Sequence, residues 1–444
     1  VSFENLFFTV LAFAENLKDR RVKPGDFIAI FVQDHIAAIA LKLAVLRLGA
    51  TTIAVSRSVA LSDTSPRVNR VLVTEETATG HPHEIVITKD WIRSPTTYTL
   101  VTKGGHIINS TSGTTGTPKL RMESESGTIA RIENGFKARG LLDGPVFIGH
   151  NIASLVGFKS SLSALYCGQT QMHFLSSLPE TLAAMELNEV AHAYLPPIHL
   201  QRLLEAAREE SIRMPALKRI NVGGGVVSPV LAEQCETFFG CEVFNDYGST
   251  ETDTIASYRP SQSPDQLGVA GHIYPHLECR FADQDGQTMD PIIGGEFWLR
   301  VPSKMQVRDF PSLDSLYDRD GWINSGDIGR LDGDGLLILS GRKSEFLNLG
   351  GNKLAPSYFE EVVLQSYLIK EVAAFRIQTE SGIDDVGIAI VPEDEFDATE
   401  IKAELEAKFD NLYTIHITLV ETLPVTRAGK VDRKKLSEII APPL

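Results

Sequence analysis

Between Phe27 and Asn245 short β-branched runs alternate with amphipathic helical stretches, and this alternation limits the fold more than any other feature of the chain. Phe27–Phe31 reads as a buried strand after the turn Pro24-Gly25-Asp26, followed by a helix over Ile36–Leu48 and a strand over Thr52–Val55. The pattern resumes with strand Val146–Ile148, helix Leu155–Tyr166, strand Gln171–Leu175, helix Glu180–Leu187 and strand His192–Leu195. Helix Ile198–Glu209, strand Arg219–Val222, helix Pro229–Phe239 and strand Glu242–Asn245 complete it, and a helix over Ser2–Leu17 precedes it. Apolar strands separated by helices build parallel sheets covered on their faces, so the expected class is α/β. Gly268–Leu339 is rich in Gly, Pro and short strands, which predicts a β-rich subdomain over about 268–340. Beyond Gly341 helices (Pro356–Gln365, Thr399–Phe409) mix with strands (Val372–Ile377, Val386–Val391, His416–Val420), predicting a separate α+β lobe.

Composition narrows the class of partner. The 444 residues carry 42 basic and 57 acidic side chains, a net charge of −15. Nucleic acid is therefore not an expected partner, because a phosphate-binding surface needs a basic footprint. No apolar run approaches membrane-spanning length. The run Leu6–Ala14 is flanked by Glu4, Glu15 and Asp19 with no basic stretch ahead of it, so a signal peptide is not expected. The four cysteines (Cys167, Cys235, Cys241, Cys279) show no CxxC spacing, which fits isolated thiols in a reducing cytoplasm.

Four constellations carry chemistry. In Ser110-Thr-Ser-Gly-Thr-Thr-Gly-Thr-Pro-Lys119, Gly113 and Gly116 let the backbone turn tightly and expose N–H groups. The hydroxyls of Thr111, Ser112, Thr114 and Thr115 and the Lys119 ammonium suit the same loop to a polyphosphate. It is not a Walker loop, which needs Lys directly after the last Gly. Asn245-Asp-Tyr-Gly-Ser-Thr-Glu251 follows a buried strand, where open α/β sheets bind ligands. Tyr247 offers a face for a base, Thr250 a hydroxyl for a phosphate, and Glu251 a hard oxygen for Mg²⁺. Gly321-Trp-Ile-Asn-Ser-Gly-Asp327 and Gly341-Arg342 place a carboxylate and an arginine where they can meet ribose hydroxyls. In Leu423-Pro-Val-Thr-Arg-Ala-Gly-Lys430 a glycine-flanked lysine can swing onto developing negative charge. Taken singly, each of these is also an ordinary polar loop or turn.

Their order and spacing resemble the adenylate-forming (AMP-binding) superfamily of acyl- and aryl-CoA synthetases, nonribosomal peptide adenylation domains and luciferases. The matching stretches are TSGTTGTPK at 111–119, YGSTE at 247–251, GWINSGD at 321–327, GR at 341–342 and PVTRAGKVDR at 424–433. The resemblance implies a large N-terminal domain over 1–341, a hinge over 342–345 and a small mobile lobe over 346–444. It implies ATP, Mg²⁺ and coenzyme A (or the phosphopantetheine of a carrier protein) as cofactors, with a small carboxylic acid as substrate. By motif, Thr250 meets the α-phosphate, Glu251 binds Mg²⁺, Asp327 holds the ribose beside Arg342, and Lys430 reaches the carboxylate during adenylation. Gly224 and Gly225 match the loop between the adenine and acyl pockets, and Asp246, Tyr247 and Gly248 the nucleotide wall. The implied activity is carboxylate activation to an acyl-adenylate, then transfer to CoA; a free-standing enzyme loading a separate carrier protein is the alternative.

Three positions depart from the family pattern: Leu120 for Gly, Ser325 for Thr, and Ser344 for the Asp or Lys of the hinge. Ser344 cannot anchor an ion pair, which predicts a loosely held lobe. Residues 149–166 contain no acidic side chain, which disfavours an α-amino acid. His150 reads as a hydrogen-bonded strand-end histidine before a pocket residue, and Lys159 as a helix-surface lysine before a carboxylate partner. Asp314-Ser-Leu316 imitates a phosphopantetheine attachment triplet but lies in the β-rich region, so the acceptor is expected to be separate.

Overall fold

The computed structural model describes residues 1–55, 60–61, 68–92, 105–111, 119–140, 143–263, 266–349, 352–366, 369–377, 384–392, 398–408, 414–425 and 431–440. The loop positions Ser112, Gly113, Thr114, Thr115 and Gly116, and Lys430, lie outside these residues. The chain divides into two compact units, one of Val1–Tyr194, Ser249–Asp253 and Val301–Gly321, the other of Leu195–Gly248, Thr254–Arg300 and Trp322–Leu444.

The first unit is built on a seven-stranded sheet. Its strands lie in the order Arg308–Phe310, Lys119–Ser124, His106–Thr111, Thr51–Ile53, Phe27–Phe31, Arg70–Thr74, Glu84–Ile87. The last five are parallel, and the hairpin partner Lys119–Ser124 and the edge strand Arg308–Phe310 run antiparallel. Helices Phe3–Asp19 and His35–Arg47, capped by Ser2 and Asp34, bury Phe13, Leu17, Leu41 and Val45 against Ile28 and Leu72 of the sheet. A second parallel set in this unit pairs Val146–Ile148 with Gln171–Met172 and with His192–Leu195. Helix Leu155–Tyr166 packs beside it, its first turn closed by Ser154 Oγ accepting from Gly157 N at 3.1 Å.

In the second unit Arg219–Gly223 and Glu242–Ser249 pair in parallel. The latter strand runs beyond Asn245, where the apolar pattern ends, so Asp246, Tyr247 and Gly248 are ladder residues and not a loop. Asp253–Tyr258, Val269–Ile273, Leu336–Arg342, Trp322–Leu331, Gly295–Arg300, Glu278–Ala282 and Thr288–Met289 extend the sheet in that order, which is the expected β-rich region. Downstream, strands Ile369–Ile377, Asp385–Pro392 and Ile415–Leu419 form a three-stranded sheet. Phe359, Val362, Val363 and Leu405 cover one face against Ile388 and Ile390, while Leu423 and Leu436 cover the other against Phe375 and Ala389. The class is therefore α/β with a small α+β portion at the C-terminal side. Among the described residues no helix is long and apolar enough to cross a membrane.

Candidate nucleotide and acyl site

Three stretches widely separated in sequence converge in the second unit. Strands Trp322–Leu331 and Leu336–Arg342 pair so that Asp327 stands opposite Arg342. The Arg342 Nε lies 3.3 Å from Asp327 Oδ1, and the Tyr247 hydroxyl donates to Asp327 Oδ2. Ser325 fixes the turn into this pair, accepting from Asp327 N at 3.1 Å and donating to the Phe297 carbonyl at 2.8 Å. Burial raises the Asp327 carboxyl above the usual carboxylate range, and the Tyr247 hydroxyl and the Arg342 charge pull it back. Burial, then the Asp327 charge, pushes the Tyr247 phenol well up, so Tyr247 stays a donor at neutral pH. A carboxylate has about four lone-pair positions. With two protein donors on Asp327, acceptor capacity is left for ligand hydroxyls.

The glycine loop beside this group is held by a buried asparagine. Gly223 stands opposite Asp246 in the ladder, and Gly224 has φ +90°, a conformation that favours glycine. Asn245 Nδ2 donates to the Gly225 carbonyl at 3.0 Å and to the Val222 carbonyl at 3.2 Å, while its Oδ1 accepts from Val227 N at 3.0 Å. Asp246 is held by Asn221 Nδ2, at 3.0 and 3.1 Å from its two oxygens, and by Ser257 Oγ at 2.6 Å.

Thr111, Lys119, Thr250 and Glu251 belong to the first unit. Thr111 and Lys119 are cross-strand partners, so the hairpin His106–Thr111/Lys119–Ser124 fixes both ends of the glycine-rich loop. The backbone of Thr250 and Glu251 is clamped by Arg131, of which 1% is exposed. Arg131 Nη1 donates to the Thr250 carbonyl at 2.9 Å and Nη2 to the Glu251 carbonyl at 2.8 Å. It also donates to the Met305 carbonyl from Nε and Nη2, and lies 3.5 Å from buried Glu123. The Tyr317 hydroxyl adds a 2.7 Å bond to the Glu251 carbonyl and accepts from Val307 N at 3.3 Å. The Glu251 carboxylate points to Arg121, with Oε1 2.8 Å from Nε, and Arg121 Nη1 reaches Asp309 at 2.5 Å.

Lys159 is not a surface lysine. It is buried on helix Leu155–Tyr166 with its ammonium 2.5 Å from Asp253. Burial alone raises the Asp253 carboxyl, but the charges of Lys159 and Arg131 outweigh it and hold the group at about 2. The surface reading failed because nothing in residues 149–166 announces an acidic partner arriving from residue 253. His150 is a strand-end histidine as expected, its Nδ1 3.3 Å from the Tyr194 carbonyl.

The donor set fits Mg²⁺, which keeps most of its waters and binds through one or two carboxylates and substrate phosphates. Glu251 would supply one carboxylate, and no group of three or more His, Cys, Asp or Glu forms a protein cage among the described residues. Arg121, Arg131, Asn245 and Tyr317 were not marked as site residues from sequence. Arg121 stands at a buried position of strand Lys119–Ser124, a strand not assigned from sequence; Arg131 and Tyr317 act through backbone carbonyls and leave no motif.

On an inner strand of the second unit's sheet, a carboxylate held by a phenol and an arginine brings together the YGSTE, GWINSGD and GR stretches, as expected for a nucleoside site. Residues 102–307 match the family model described as AMP-binding enzyme. The chain is 28% identical to an indoleacetate–CoA ligase of Aromatoleum aromaticum over 345 residues, covering 76% of this chain and 67% of the relative. It is 26% identical to the 2-succinylbenzoate–CoA ligase of Bacillus subtilis over 425 residues, covering 88% and 82%. A solved o-succinylbenzoate CoA synthetase from Bacillus subtilis, in complex with its acyl-adenylate, shares the fold at TM-score 0.84 and 22% identity, covering 100% of this chain and 94% of that one. Another structure of that neighbour holds ATP and a magnesium ion. Residues 102–307 thus resemble an AMP-binding enzyme domain, and the relatives similar to the chain are named as CoA ligases.

Proposed function

We propose that the protein joins a small carboxylic acid lacking an α-amino group to the thiol of coenzyme A, by way of an acyl-adenylate. The observation that carries this reading is the convergence of Tyr247, Asp327 and Arg342 on one buried carboxylate, from the three motifs that imply a nucleoside. In the first half-reaction a carboxylate oxygen of the acid attacks the α-phosphorus of ATP and pyrophosphate leaves. In the second, the thiol sulfur attacks the acyl carbon, AMP departs, and the thiol proton is released. Asp327 accepts from the ribose hydroxyls, with Tyr247 and Arg342 holding its orientation. Glu251 would hold Mg²⁺, which supplies neutralisation of phosphate charge. Thr250, whose carbonyl Arg131 fixes, presents its hydroxyl to the α-phosphate, and Lys430 meets the charge that develops there.

The acceptor is external. Burial pushes the Cys241 thiol up to about 12 and raises the Cys235, Cys167 and Cys279 thiols too, so they stay protonated near neutrality. Those four unpaired thiols fit a reducing cytoplasm. Because Lys159 is committed to Asp253 and residues 149–166 hold no acid, neither an amino nor a second carboxylate anchor is offered there; the relatives' names span aryl-substituted and aliphatic acids.

The test is pyrophosphate exchange over a panel of arylacetic, aryl and aliphatic acids, followed by mass-spectrometric detection of the CoA thioester. Exchange with no thioester from CoA, but acyl transfer to a phosphopantetheinylated carrier, turns the acceptor assignment to the carrier protein. Lys430→Ala should slow exchange by about a hundredfold or more while still converting supplied acyl-adenylate to thioester. Equal loss of both steps assigns Lys430 to holding structure and not to charge.

A further inference from the structure

Arg121 stands on the strand leaving the glycine-rich loop and bridges two carboxylates that come from different parts of the first unit. Its side chain is 8% exposed, against 20% for Glu251 and 40% for Asp309. Its Nε meets Glu251 Oε1 at 2.8 Å and its Nη1 meets Asp309 Oδ1 at 2.5 Å. Asp309 is the direct cross-strand neighbour of Arg121, so the second contact is built into the sheet register. Arg131 and Tyr317 fix the Glu251 backbone from behind, so the carboxylate cannot swing far to avoid the guanidinium.

We propose that Arg121 is a resident counter-cation that makes metal capture at Glu251 depend on the nucleotide. The inference rests on the reading of Glu251 as the metal ligand. Two carboxylates on one guanidinium leave the group with a single net negative charge. A free divalent cation meets one carboxylate already hydrogen-bonded to a fixed positive charge, and like charges at such range repel by kilocalories in a partly buried site. A polyphosphate brings the negative charge that offsets this repulsion, so the metal enters with ATP. Without Arg121, Glu251 and Asp309 would face each other uncompensated and attract a divalent cation unaided. Arg121 is thus a positioning residue that sets the order in which metal and nucleotide load.

Mn²⁺ binding to the full chain, followed by electron paramagnetic resonance with and without a non-hydrolysable ATP analogue, reads this directly. Wild type should bind Mn²⁺ weakly alone and at least tenfold more tightly with the analogue. Arg121→Met should raise nucleotide-free Mn²⁺ affinity by tenfold or more, and Arg121→Met/Asp309→Asn should return it towards wild type. Arg121→Lys, which keeps the charge, should leave nucleotide-free binding weak. Should Arg121→Met fail to fold, Arg121→Gln carries the same comparison, keeping hydrogen bonding without charge. Unchanged nucleotide-free affinity in the neutral variant overturns the proposal. Loss of analogue-dependent Mn²⁺ binding on Glu251→Gln is expected; its retention would instead overturn the assignment of Glu251 to the metal, a separate failure.

Discussion

Single side chains here do two kinds of work, and they differ in how visible they are in a sequence. Asp327, Arg342 and Tyr247 are the groups proposed to meet the ligand, and they could be named beforehand because they fall in the YGSTE, GWINSGD and GR motifs. Arg131 does its work on the carbonyls of Thr250, Glu251 and Met305, and any backbone offers carbonyls. Its buried partner is Glu123, 3.5 Å away. Removing one member of a buried pair leaves the other charge without compensation, at a cost of about 3–5 kcal/mol. Arg131→Met should therefore lower unfolding free energy by that amount in urea titration, and Arg131→Met/Glu123→Leu should recover part of it. Recovery stays partial because three backbone carbonyls still lose their donor. A double variant no better than the single one would show that Glu123 has another counter-charge. Lys159 makes the complementary point: its helix position was legible but its partner, Asp253, lies in the strand that begins after the YGSTE motif.

At the scale of elements, legibility followed apolar periodicity. The strands Phe27–Phe31, Val146–Ile148 and His192–Leu195 and the helices Leu155–Tyr166 and Pro229–Phe239 have the bounds their apolar patterns suggest. Helix Glu125–Arg139 was silent because Gly127, Thr128, Arg131 and Gly135 stand at its buried positions, where apolar residues would mark a face. Gly127 is there because a Cβ would lie 3.0 Å from the Lys304 carbonyl. The paired strands Arg70–Thr74 and Glu84–Ile87 were assigned no element from sequence, since each is short and their connection holds polar turn residues. Glu242–Ser249 outlasts its apolar run because Asn245 and Asp246 satisfy neighbouring polar groups instead of packing. That gives the strand a second task, holding the Gly223–Val227 loop. Asn245→Ala strips the Gly225 carbonyl and the Val227 amide of their partner, which costs about 1–3 kcal/mol in a buried site. Hydrogen exchange of the peptide covering residues 223–229 should quicken while the core strands stay protected. Unchanged exchange there would mean that the loop holds its shape without the side chain.

At the scale of the whole molecule, stability turns on how the C-terminal portion is held within the second unit. The expectation of a loose lobe rested on the uncharged Ser344, yet its neighbour Lys343 makes an ion pair with Glu296, and Lys343 N donates to the Gly326 carbonyl at 3.0 Å. A further tie lies away from the proposed hinge. Glu361, on helix Pro356–Ser366, accepts from Gly268 N at 2.6 Å, and Leu267 packs against the lobe's core. Burial raises the Glu361 carboxyl from 4.5 to about 7, the Gly268 amide opposing it and the charge of Glu360 adding to it. Tyr258, which faces the same carboxyl, is itself pushed up by burial and by the Glu361 charge. Glu360 is neutralised in turn by Arg433 at 2.7 Å. A carboxyl whose pKa is raised by docking favours the docked state when protonated. Its contribution is fully present below pH 4.5 and is lost as pH rises through about 7, the two ends of the shift. The difference amounts to roughly 3 kcal/mol for a shift of this size. Glutamine mimics the protonated form at every pH, so Glu361→Gln should melt like wild type near pH 5 and at higher temperature than wild type near pH 8. Other titrating groups are common to both proteins and cancel in the comparison. A difference in melting temperature that stays flat from pH 5 to 8 would show that Glu361 is solvated and that the Gly268 contact does not hold the lobe. A rising difference, joined to faster protease cleavage near Lys343 in wild type at pH 8, would place the release of the lobe at this carboxyl.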